Sequence, residues 1–160
     1  MRTPSVTLPA DAVSVPAARR FVRDRLVDLG AVGACEDAEA LISELASNAV
    51  LHARTPFTVE VSRQGETVRV RVLDASPSPP RVRDYGTDAT TGRGMRLVAA
   101  LSIKWGIESQ RGRKAVWFEL PADGGAASVD GWHEDHDAES LLASFGDVGP
   151  PGSEPVGRAA

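Results

Sequence analysis

The polar–apolar rhythm of the chain changes several times, and each change predicts an element. Val6 to Leu8 reads as a short edge strand. From Pro16 the rhythm turns helical. Pro16 stands where a missing N–H costs nothing, and Gly30 is placed to stop the helix. Ala17, Phe21, Leu26 and Leu29 form its expected buried stripe, while Arg19, Arg20, Arg23 and Arg25 largely face water. A second helix is expected from about Glu36 to Ala53. There Ala38, Leu41, Ile42, Leu45, Ala49 and Val50 recur at three- and four-residue steps, and Pro56 enforces the break. Period two follows. Val59 and Val61, then Val68, Val70 and Val72, predict strands over Thr58–Arg63 and Thr67–Leu73, with a hairpin at Gln64-Gly65-Glu66.

From Asp74 to Arg93 periodicity stops, and three Pro and two Gly stand among polar residues. A stretch of that length inside a compact domain usually serves function. A third helix is expected from Gly94 to about Leu101. Strands over Ile103–Ser109 and Lys114–Leu120 then flank a turn at Gly112. Helices interleaved with antiparallel hairpins predict an α+β fold: a two-layer sandwich with the helices on one face of a mostly antiparallel sheet.

Composition narrows the classes. The chain has 160 residues, which suits one domain with a tail. Its single Cys, Cys35, excludes an intrachain disulfide framework and a multi-Cys zinc site. A formal charge of −4 argues against a general nucleic-acid coat. No apolar stretch is long enough to cross a bilayer, and Pro4, Pro9, Asp11 and Pro16 interrupt any signal-peptide core, so a cytoplasmic protein is expected. The charge is uneven. Residues 121–160 hold eight acidic residues and only Arg158 as a base, whereas residues 1–120 hold 17 basic against 14 acidic. The expected division is therefore a folded domain over 1–120 and an acidic, largely disordered tail over 121–160. Within the tail, Leu141, Leu142 and Phe145 have helical spacing and follow Trp132, so a short helix over 137–145 could dock on the domain or on a partner.

Three groups of residues carry candidate chemistry. Glu44, Asn48 and His52 are spaced by four and project from one side of the second helix. Asp74 ends the apolar run Val68–Leu73 beside the long loop, placed to accept a hydrogen bond from a ligand. Thr91-Gly92-Arg93-Gly94-Met95 puts two glycines at a loop-to-helix junction, where backbone can approach closely and a helix N-terminus attracts phosphate. Each feature alone is ordinary: a solvated helix face, a turn former, a glycine cap. Their order along the chain is far more specific.

That ordered set resembles the histidine-kinase-like ATPase superfamily, known as the GHKL or Bergerat fold, over about residues 6–120. More closely it is similar to bacterial anti-sigma-factor serine/threonine kinases of partner-switching systems. Ser102-Ile103-Lys104-Trp105-Gly106 and Ala115-Val116-Trp117-Phe118-Glu119-Leu120 are similar to that family's closing hairpin. The resemblance implies Glu44 as general base, Asn48 as the Mg²⁺ ligand, Asp74 as acceptor for the adenine amino group, and Gly92 and Gly94 around the phosphates of ATP. Arg93, with Arg81 and Arg83, could fork onto phosphate oxygens. It also implies an ATP-dependent protein kinase that phosphorylates a STAS-type anti-sigma antagonist and also holds a sigma factor, with a homodimer in the family pattern. No direct nucleic-acid contact and no membrane are expected.

One departure sets up a second reading. The family's adenine motif is Asp-x-Gly-x-Gly, and here Asp74-Ala75-Ser76-Pro77-Ser78 replaces both glycines with serine, with Pro77, Pro79 and Pro80 stiffening the loop. Serine adopts a positive φ only with strain. The alternative is thus a catalytically inactive module of this fold that binds protein partners with weak or no nucleotide binding. Other features have plainer explanations. His52 reads as a packing or supporting residue. A thiol at a helix start, as at Cys35, can acidify, but a small buried residue is the simpler expectation. His133-Glu134-Asp135-His136 could chelate a metal only in a tail that offers no frame for it. The Arg19–Arg25 cluster is a solvated face or a contact for an acidic partner.

Overall fold

The computed structural model describes residues 2–75, 97–110 and 112–125. Its elements run β1 (Ser5–Leu8), α1 (Ser14–Asp28), a 3₁₀ turn (Val32–Ala34), α2 (Cys35–Asn48), a π turn (Ala49–Ala53), β2 (Phe57–Gln64), β3 (Thr67–Asp74), β4 (Lys104–Gln110) and β5 (Arg113–Pro121). Residues 97–101 are helical, the part of the expected third helix that is described. The five strands form one antiparallel sheet in the order β1-β2-β3-β5-β4. The expected α+β two-layer sandwich is the observed fold.

The alternation read from the sequence places the core. Phe57, Val59, Val61, Val68, Val70, Val72, Phe118 and Leu120 form the inner face of the sheet and are buried. Against them pack Ala18, Val22 and Leu26 of α1 and Ala38, Leu41, Ile42, Leu45 and Ala46 of α2. Fully burying a side chain of the Val, Leu, Ile or Phe kind stabilises by about 1.5–3 kcal/mol. Positive φ at Gly65 and Gly112 lets the two hairpins turn tightly.

The stripe of α1 differs from the expectation. Ser14, Ala18, Val22 and Leu26 are buried at strict four-residue steps, whereas Phe21 and Leu29 pack at the margin and Ala17 is half-buried. The helix begins two residues earlier than Pro16, and the Ser14 hydroxyl donates to the Pro9 carbonyl at 2.7 Å, which fixes its rotation. Leu26 is buried as expected, but the stripe is rotated by about one residue from the bulky positions, so that Ala18 and Val22 fill the seam while Phe21 and Leu29 pack at its edge. Pro16 still lies in the first turn, where its missing N–H has no intrahelical acceptor to lose.

α2 has Glu36 and Asp37 in its first turn, which complement the positive end of the helix dipole. Its last expected turn is a π turn rather than α, and Arg54 closes it at φ +52° with its N–H on the Ala49 carbonyl at 3.2 Å. Pro56 follows two residues later, as at many helix ends. Past residue 120, Pro121 completes β5, and buried Ala122 donates its N–H to the Glu66 carbonyl at 2.8 Å. Residues 126–160, the rest of the expected tail over 121–160 with its 137–145 helix, lie outside the described residues.

The outer face of the sheet is polar. Arg69 pairs with Glu119, and Arg71 pairs with both Glu60 and Glu108. Arg69 also stacks over Trp117 at 4.3 Å from the ring centroid. Gly106 makes room for that ring: a Cβ there would lie 2.8 Å from Trp117.

Candidate functional site

The C-terminal half of α2 crosses the ends of β3 and β5, and a cleft opens between them. Leu45, Ala49, Val72 and Val116 are its apolar walls, and Asn48, His52, Asp74 and Lys114 are its polar groups. The sequence builds it simply. Leu45 and Ala49 sit on the buried side of the helix end, and Val72 shares a strand face with Asp74 two residues on. The inward phase of β3 therefore ends in a carboxylate.

Asp74 is the last residue of β3 and only 5% exposed. A carboxylate so buried requires donors around it. Its cross-strand partner is Lys114 of β5, whose Nζ stands 3.5 Å from Asp74 Oδ2. That is longer than the 2.7–2.9 Å of a charge-assisted hydrogen bond. Asn48, the last residue of α2, is half-buried and presents an amide to the same cleft. His52 reaches the cleft from the π turn and is exposed. Single π turns inside helices recur at functional sites.

The chemistry of this set is that of a receptor for a flat, partly apolar base. Apolar walls can take a ring face, and the buried Asp74 carboxylate can accept a ring-edge N–H. Asn48 supplies a neutral oxygen of the kind Mg²⁺ accepts alongside water and phosphate ligands. The residues present thus fit the base and metal ends of a Mg·nucleotide.

The structure brings together Asn48, Asp74 and His52. Glu44 is half-buried one turn earlier on α2 and is not part of the cleft lining. Gly92, Arg93 and Gly94, with Ser76, Ser78, Arg81 and Arg83, lie outside the described residues. Sequence reading missed Lys114. A signal existed: Lys114 has the parity of Val116, Phe118 and Leu120, so it begins an inward-facing row. What was missing was the β3–β5 pairing that sets it opposite Asp74.

Two other candidates resolve into structure. Cys35 is buried at the start of α2, and burial, reinforced by the neighbouring Glu39 carboxylate, pushes its thiol upward while Arg23 pulls it the other way. The helix start therefore does not acidify it. Arg19, Arg20 and Arg23 are exposed, and Arg23 already pairs with Glu39. Among the described residues no group of three His, Cys, Asp or Glu could hold a metal ion. The expected His133–His136 set lies outside them. No helix among the described residues is long and apolar enough to cross a membrane.

Residues 8–120 fit the family model described as the histidine kinase-like ATPase domain, which covers most of the chain, with β2, β3 and β4 in full and β5 up to its last residue. No curated protein matches the chain.

Proposed function

The chain belongs to the histidine kinase-like ATPase domain family, and from that premise we propose that it is an ATP-binding anti-sigma regulator with serine/threonine protein kinase activity. Its substrate on this reading is a Ser or Thr of a STAS-type anti-sigma antagonist, and its second partner is a sigma factor. The observation that carries the nucleotide part is Asp74: a buried carboxylate closing the floor of an apolar-walled cleft, under the helix end that carries Asn48.

In this reading Asp74 accepts the adenine N6–H. Asn48 would hold Mg²⁺ through its amide oxygen, and the ion would supply neutralisation of phosphate charge. Glu44, one turn back on the same helix, accepts the proton of the attacking partner hydroxyl. Phosphoryl transfer needs mainly positioning and charge stabilisation, so this short set is sufficient. Gly92, Arg93 and Gly94 hold the phosphates. The protein works in the cytoplasm, as a homodimer in the family pattern, without contact to nucleic acid or membrane.

The test uses the full chain, γ-labelled ATP with Mg²⁺, and a panel of small STAS-domain proteins encoded beside sigma factors. Label should reach one antagonist, and Glu44→Ala should reduce the rate by about 10²–10⁴-fold while calorimetric ATP affinity holds. Transfer undiminished in Glu44→Ala defeats the catalytic assignment. Calorimetric silence with Mg·ATP would favour the other reading, prompted by Ser76 and Ser78, of an inactive protein-binding module.

A further inference from the structure

The cleft contains one group that the family pattern did not call for. Lys114 stands directly across the ladder from Asp74, and its side chain is 17% exposed, half-enclosed by the apolar walls. An ammonium in such a place is held by the adjacent carboxylate, yet the 3.5 Å separation falls short of a hydrogen bond. Lysine has three rotatable N–H donors on a flexible stem. The floor of the cleft thus offers an acceptor and, one strand over, a donor with capacity to spare.

The edge of adenine presents the complement of that pair. Its exocyclic N6 carries N–H donors, and the neighbouring ring atom N1 is an acceptor. We propose that Lys114 is a specificity-determining residue that donates to N1 of the bound adenine while Asp74 accepts from N6. This rests on the nucleotide reading above and deepens it. The base is then read by two side chains on adjacent strands. Because both residues end inward-facing rows of one ladder, their spacing is set by the sheet and not by a loop.

A general electrostatic role for Lys114 would draw in any triphosphate equally. The test must therefore isolate N1. Calorimetric titration of the full chain with Mg·ATP and with Mg·1-deaza-ATP, which replaces N1 by C–H, does this. Wild type should bind ATP about 10-fold or more tightly than the analogue, the range of a hydrogen bond to a charged donor. Lys114→Met should bring the ratio near one, and Lys114→Arg should restore part of it. Should Lys114→Met not fold, the wild-type ratio alone decides, since equal affinities overturn the proposal. A ratio unchanged in a folded Lys114→Met also overturns it but leaves ATP binding intact. If wild type binds neither nucleotide, the nucleotide reading itself fails, and this inference with it.

Discussion

The β3–β5 ladder carries two acid–base pairs on opposite faces of the sheet, and they are built to different standards. On the outer face, Arg69 Nε and a terminal guanidinium nitrogen reach Glu119 Oε1 at 2.7 and 2.5 Å, and Arg69 is backed by the Trp117 ring. On the inner face, Lys114 stops 3.5 Å from Asp74, in a cleft walled by Leu45, Ala49, Val72 and Val116. Both pairs join direct cross-strand partners. Arginine with a planar fork, stacked on an indole, holds strands together. Lysine on a flexible stem beside a buried carboxylate keeps hydrogen-bonding capacity for something else. The first pair ties strands together, and the second is the one that the proposed nucleotide reading puts to use.

The largest effect that would break this contrast is on binding. Asp74→Ala should weaken Mg·ATP affinity by about 100-fold, since it removes a buried charged acceptor. Calorimetry reads it directly, and intact binding in that variant would mean the floor of the cleft does not recognise the base. Glu119→Ala should do the reverse. It should leave nucleotide affinity unchanged and lower stability by about 2 kcal/mol, because Arg69 is left part-buried without its partner. Urea unfolding at constant m-value checks it. A loss of affinity in Glu119→Ala would show that the two faces are coupled.

How far could the sequence alone take this? The strands were legible because Val59, Val61, Val68, Val70 and Val72 alternate without interruption, and one buried face dictates register. Asp74 was legible as a polar residue ending such a row. The rotation of α1 was not, because Phe21 and Leu29 outweigh Ala18 and Val22 in any count of apolar bulk, while packing selects the shape that fits the seam. The π turn was hidden as well, since Ala49-Val50-Leu51-His52-Ala53 reads as ordinary helix and its widening is a tertiary effect. Lys114 escaped because strands β3 and β5 are not neighbours in the chain. Their pairing decides which residue faces Asp74, and nothing local to either strand announces it.

A smaller effect sharpens the comparison at Trp117. The indole lies between the Arg69 guanidinium and Gly106, whose missing side chain gives the ring its place. Trp117→Leu should cost about 1 kcal/mol through the lost cation–π contact and ring burial. ATP affinity should not change. Gly106→Ala should reproduce much of the loss, because its Cβ would stand 2.8 Å from the ring and displace it. If Trp117→Leu were as stable as wild type, the stacking would add nothing to the Arg69–Glu119 pair. The outer pair would then owe its rigidity to the guanidinium fork alone.

The smallest expected effect concerns Arg71, which shares its guanidinium between Glu60 at 2.9 Å and Glu108 at 3.1 Å. It therefore ties β2 to β3 and reaches across β5 to β4. Both carboxylates are more open to water than Glu119, with side chains 24% and 46% exposed. Screening should thus erase most of the attraction. Arg71→Met, which keeps the stem, should cost about 0.5 kcal/mol at low salt and nothing measurable near 1 M, where the screening length is about 3 Å. Glu119→Ala should keep most of its penalty at that salt, because the Glu119 side chain is only 10% exposed. Equal salt dependence of the two variants would place both outer pairs in the same solvent-exposed class. It would also remove the distinction between a pair that binds strands and one that merely decorates them.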